Sequence, residues 1–196
     1  MEDKKLDAAE SFALISRMIE NTRSRMVRNS GRPFLIWGYT TVAVTIAVWL
    51  AVWRTQNPQW NILWGALPLL GALLMWLTRD KQAEGRVYTF VDRVINKIWL
   101  VIGLSAWFVG MLAMFGATRI PILFIILLLM GIGTTLTCLI IRFTPGVAGG
   151  IVGIALAPVM LLVTGGWVPG LFIAGFAAMM IVPGHILNYK SNHPNE

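Results

Sequence analysis

Six uncharged apolar stretches, at about 34 to 53, 60 to 78, 98 to 118, 120 to 141, 146 to 164 and 167 to 187, alternate with shorter polar segments along the chain. Each is about as long as the ~20 residues a helix needs to cross a ~30 Å hydrocarbon layer. Lipid offers no partner to an unpaired backbone group, so such a stretch must satisfy its own hydrogen bonds as a helix. The expected fold is therefore all-α: a polytopic membrane protein with six transmembrane helices. The turns Arg54 to Gln59, Ala117 to Arg119 and Gly165 to Gly166 are short, which groups the helices into three hairpins. A long link, 79–97, and a short one around Arg142 to Pro145 join the hairpins.

A different periodicity precedes the first span. Ala8, Phe12, Ile15, Ile19 and Met26 recur at helical spacing, with Glu10, Arg17 and Arg28 on other faces. This predicts an amphipathic N-terminal helix over 5–28, ended by Ser30-Gly31 and Pro33. A second apolar stripe, Val87, Phe90, Val91, Val94 and Ile95, leads into the third span and predicts a helix that projects beyond the membrane. The two stripes can pack on each other, lie in the membrane interface, or bind another protein. Phe12, Ile15, Ile19, Phe90 and Val94 are the candidate partner-binding residues. The chain thus divides into a helical and basic segment 1–33, a bundle 34–187 and a tail 188–196.

Charge sets the expected orientation. Of 16 Lys and Arg residues, all but Arg54 and Arg119 fall on one side of this six-span arrangement. Short loops rich in Lys and Arg stay in the cytoplasm, so both termini are expected there. The composition, 57% hydrophobic and 13% charged with mean hydropathy +0.70, leaves too little polar surface for a soluble globule. The first apolar run begins only at Phe34, behind a charged tail, and is too long for a signal-peptide core, so it is expected to stay as an anchor. A net charge of +7 invites a nucleic-acid reading. Basic residues are mixed with Asp and Glu in both large polar segments, however, and topology alone accounts for the excess. Arg23, Arg25, Arg28 and Arg32 form one unbalanced run beside the first span, where they are candidate contacts for anionic lipid headgroups.

Tryptophan supports the span boundaries: eight of nine fall near predicted ends, with only Trp107 in mid-span. Pro121, Pro145 and Pro169 lie in first turns, where a missing N–H costs nothing. Pro68, Pro158 and Pro183 lie within spans and are expected to free the carbonyls of Trp64, Ile154 and Met179. Gly146 and Gly150, then Gly149 and Gly153, form overlapping small-xxx-small pairs, and Gly170, Ala174 and Ala178 form another. Such stripes let backbones approach closely, so helices five and six are expected to pack on them. A homodimer contact through the same surface is the alternative.

Chemistry-bearing patterns are few. No Asp or Glu lies inside a span, so the buried acids of proton- or cation-coupled transporters are missing. Thr134, Thr135 and Thr137 with Cys138 form the most polar patch within a span, though Thr in a helix commonly bonds its own backbone. Gly103-Leu104-Ser105-Ala106 together with His185 resembles the serine and histidine of rhomboid intramembrane proteases. Ala106 replaces the second glycine of that pattern, and the serine sits in the third span. A single cysteine excludes an intrachain disulfide, and no phosphate loop, dinucleotide fingerprint or metal motif occurs. No cofactor and no enzymatic activity are expected.

Three segments carry a wider resemblance: the tail Glu10 to Met26, the entry Phe34-Leu35-Ile36-Trp37-Gly38-Tyr39 and the ending Pro183-Gly184-His185-Ile186-Leu187-Asn188. With these the chain resembles a group of uncharacterised small bacterial six-helix inner-membrane proteins, often encoded beside winged-helix regulators. The resemblance implies a regulatory partnership. The expected function is a non-enzymatic membrane subunit that presents cytoplasmic helices to a partner; the alternative is a passive channel or transporter for a small neutral or weakly polar solute.

Overall fold

The computed structural model describes residues 8–78, 90–115 and 120–192; before Gly31 most side chains lie outside that description, among them those of Ile15, Ile19, Arg23, Arg25 and Arg28, and Val87 lies outside it altogether. Every described element is helical. The helices are α1 (Ala8–Thr55), α2 (Ala66–Leu77), α3 (Phe90–Phe115), α4 (Ile122–Ile140), α5 (Thr144–Leu162), α6 (Trp167–Phe176) and α7 (Val182–Asn192). A 3-10 helix, Pro58–Gly65, leads into α2, and a π-helical turn, Ala177–Ile181, joins α6 to α7. Six stretches are long and apolar enough to cross a membrane: Gly31–Thr55, Pro58–Leu77, Phe90–Ala113, Ile122–Ile140, Thr144–Leu162 and Trp167–Tyr189. They coincide with the six expected spans to within a few residues, apart from the start of the third.

The spans are not equivalent. The second and third are only 6% buried, against 33% to 44% for the others. The core is built by spans one, four, five and six, around Leu127, Met160, Phe172, Phe176, Met179, Met180 and Leu187. The second span lies on α1 and the third on α4. Trp37 of α1 covers Gly71 of α2, where a Cβ would stand 2.5 Å from the indole ring, and Trp64 meets Phe172 of α6 edge-on at 5.8 Å.

Three sequence expectations need correction and one needs extension. The tail helix does not stop at Ser30-Gly31 and Pro33, because α1 is continuous from Ala8 to Thr55. Proline's fixed φ is helical, and the packing of Gly31 against α7 holds this part of the helix in place. A Cβ on Gly31 would stand 3.1 Å from the Asn188 nitrogen and 3.2 Å from the Gly184 oxygen.

Pro68 does not interrupt a helix. The second span starts as the 3-10 helix, capped by the Gln59 N–H donating to Asn57 Oδ1 at 2.9 Å, and Pro68 then falls in the first turn of α2.

Pro183 and the π-turn together free a carbonyl that the sequence did not point to. In the π-turn the Val182 N–H donates to Ala177 O, one residue further back than in an α-helix. Ala178 O would next turn to residue 183, which is proline and has no N–H. The carbonyl of Ala178 is therefore left without an intrahelical donor.

The glycines of α5 serve two partners. Gly149 and Gly153 face the sixth span: a Cβ on Gly149 would overlap the Ala178 oxygen, and one on Gly153 would stand 3.0 Å from Met179 sulfur. Gly146 and Gly150 instead face α4, against Cys138 and Thr135. Gly170 has open space around it and Ala174 is exposed, so that stripe does not join helices five and six.

The α4–α5 link is a Schellman turn. The Phe143 N–H donates to Cys138 O at 2.8 Å and the Arg142 N–H to Leu139 O at 3.1 Å. Arg142 takes the left-handed position at φ 52, which usually favours glycine, and its side chain is exposed.

Candidate functional site

Asp92, in the first turn of α3, is the one acid in the described spans, and hydroxyls are the main polar groups deeper inside the bundle. Thr40, Thr45 and Thr135 donate to the carbonyls four residues back, at 2.6, 2.7 and 2.8 Å, which is the ordinary fate of Thr in an apolar helix. Thr41, Thr134 and Thr137 are buried with no hydrogen-bond partner for their hydroxyls. Thr134 is fully covered and Thr137 is 3% exposed, so the sequence-predicted threonine patch is packed between helices rather than open to a vestibule. A recess of 220 Å³ lined by Pro121, Ile122, Leu123, Phe124, Met160 and Val168 lies away from these threonines and is apolar.

An unpartnered buried hydroxyl costs about 1 to 3 kcal/mol, so replacing it with an isosteric methyl removes a penalty. Thr134→Val is accordingly expected to leave the protein as stable as the wild type or more so, by up to about 1 kcal/mol, read as the midpoint of thermal unfolding in detergent. A clear loss of stability would show that the hydroxyl has a partner, such as bound water.

One side-chain pair bridges two core spans. The Tyr39 hydroxyl and His185 Nε2 share a hydrogen bond of 2.7 Å, with the rings edge to face at 6.0 Å. Both side chains are exposed on the outer surface of the α1/α7 seam. His185 is thus engaged by α1, whereas Ser105 sits half-buried on α3, which packs on α4. The serine and histidine do not meet. Among the described residues no group of three or more His, Cys, Asp or Glu gathers.

The candidate partner-binding residues are divided. Phe12 and Phe90 are each 74% exposed. Val94 is half-buried, and its neighbours Val91 and Ile95 pack against the core, so most of the second stripe faces the bundle. Of the basic run, Arg32 is described and is exposed.

No family model, curated protein or solved structure matches the chain. The functional reading therefore rests on its own geometry. Sequence reasoning missed the Tyr39–His185 pair, and the two residues are 146 positions apart. A histidine at the end of a span is a signal in itself, because ionisable groups in apolar helices come with partners. The partner could not be chosen without the helix register.

Proposed function

We propose that the chain is a bacterial inner-membrane protein, with both termini in the cytoplasm, that has no catalytic activity and presents helices to a protein partner there. The observation that carries this reading is the continuity of α1. It runs unbroken from Ala8 into the span that begins at Gly31, and Phe12 stands 74% exposed on its projecting part. A large exposed aromatic side chain on a helix that runs on beyond its span suits helix-in-groove recognition. Phe90, equally exposed at the start of α3, is the second contact point. The distribution of Lys and Arg supports the orientation. The resemblance to proteins encoded beside winged-helix regulators suggests that the partner is regulatory.

A photoreactive residue in place of Phe12, activated in cells, is expected to trap a second protein. Adducts confined to lipid, or to residues 87–95 of the same chain, would overturn the reading.

The alternative, a passive pathway for a small neutral or weakly polar solute, draws on the partnerless hydroxyls of Thr41, Thr134 and Thr137. Under it, Thr134→Val would lower solute flux into proteoliposomes while leaving the fold intact. Under the first reading no such flux exists.

A further inference from the structure

We propose that the outer face of the α1/α7 seam binds the headgroup of an anionic phospholipid, its phosphate at Arg32 beside Tyr189 and an ester oxygen at the Tyr39–His185 pair. The proposal stands whichever of the two functional readings holds.

Three close approaches set the register of the seam. A Cβ on Gly31 would stand 3.1 Å from the Asn188 nitrogen, one on Gly184 would stand 2.9 Å from the Leu35 side chain, and one on Gly38 would stand 3.2 Å from Met180 Cβ. The helices are therefore antiparallel, with residue 31 level with 187 and 188, residue 35 with 184, and residue 38 with 180 and 181. Side chains on a helix lean toward its N-terminus. Tyr39 and His185 so lean toward each other from either side of the Leu35/Gly184 level and meet at 2.7 Å. Arg32 lies two turns from Tyr39 on the same face of α1, and Tyr189 one turn from His185 on the same face of α7. Register puts Arg32 beside Tyr189. All four side chains are exposed.

The pair keeps a donor to spend. If Nδ1 carries the imidazole proton, Tyr39 donates to Nε2 and the Nδ1–H is left over. If Nε2 carries it, the imidazole donates to the tyrosine oxygen and the phenol O–H is left over. Either way one donor remains for an oxygen of the ligand, next to a guanidinium that forks onto phosphate.

A lipid suits this face better than a soluble anion. Arg32 and Tyr189 lie at the ends of their spans, at headgroup level. Deeper along the same faces come Ala43, one turn beyond Tyr39, and Val182, three residues before His185, both exposed, Val182 at 54%. The surface thus runs from cationic through hydrogen-bonding to apolar within one leaflet, in the order in which a phospholipid presents phosphate, ester and acyl chain.

The test is native mass spectrometry of the purified protein titrated with phosphatidylglycerol or phosphatidylcholine. Wild type is expected to retain one phosphatidylglycerol in preference to phosphatidylcholine. Arg32→Gln is expected to weaken that retention about tenfold and the double variant Tyr39→Phe/His185→Phe, which removes the spare donor in either tautomer, about fivefold. Arg142→Gln, which removes a basic residue at a distant turn, should leave it unchanged. Melting in lipid-free detergent controls for folding, and the double variant Tyr39→Phe/His185→Phe, which keeps an aromatic ring at both positions, decides the matter if Arg32→Gln proves unstable. Equal retention of the two lipids, an equal loss in Arg142→Gln, or displacement of the lipid by millimolar inorganic phosphate would each overturn the proposal.

Discussion

Gly149→Ala is expected to destabilise the purified protein by about 2 kcal/mol, while Gly103→Ala leaves it unchanged or slightly more stable. The two glycines look alike in the sequence, each inside an apolar helix. Gly103 has nothing within 4 Å of where a Cβ would project, whereas at Gly149 that Cβ would overlap the Ala178 carbonyl oxygen. This oxygen cannot move away cheaply. It belongs to the π-turn of the sixth span, its intrahelical partners are spent or missing, and Met179 and Met180 beside it are buried. The close approach also lets the Gly149 Cα–H face the orphaned carbonyl, a weak hydrogen bond that a methyl group would abolish. Thermal unfolding in detergent, followed by tryptophan fluorescence, provides the comparison. Gly38 would be an unsuitable control, since a Cβ there would stand 2.9 Å from Ile181. Equal melting of the two variants would mean that the sixth span shifts freely on α5, and the packing argument would fall.

Phe172→Ala is expected to cost about 3 kcal/mol. The Phe172 ring is fully buried, meets Trp64 at 5.8 Å and Phe176 at 4.7 Å, and occupies the core between spans four, five and six. Within hydrocarbon, burial from water contributes little to helix association, so the loss is mainly one of van der Waals contact across a void that lipid does not fill. The second span rests mainly on α1, and Trp64 is its contact with Phe172 of the sixth. Trp64→Ala and Phe172→Ala should therefore couple, by about 1 kcal/mol in a double-mutant cycle. Strict additivity would show that the edge-on ring contact contributes nothing to holding the second span.

The six helices were legible in the sequence because a bilayer imposes a length on any apolar segment that crosses it, and 31–55 or 144–162 announces itself by that length. The partners of each face were less legible. Once both solvent and core are apolar, the contrast that marks the inner face of a soluble helix disappears. Gly146, Gly149, Gly150 and Gly153 announced a close approach without naming the neighbour, and the helix turns one pair to α4 and the other to the sixth span. Ser30, Gly31 and Pro33 read locally as a stop, yet the contact of Gly31 with α7 overrides that local preference. Tyr39 and His185 were both in view, but only the register of two distant helices brings them together.

The unbroken α1 has a mechanical consequence. At 1.5 Å per residue its 48 residues span about 72 Å, and the part before Gly31 accounts for about 35 Å of that. Such a rod is a lever whose fulcrum lies where Gly31 touches α7. A tilt of about 10° there would sweep the far tip through about 6 Å and the Thr55 end, about 36 Å away on the other arm, through as much, so a shift of Phe12 by the width of a side chain must be matched by a rearrangement of the helices packed on α1.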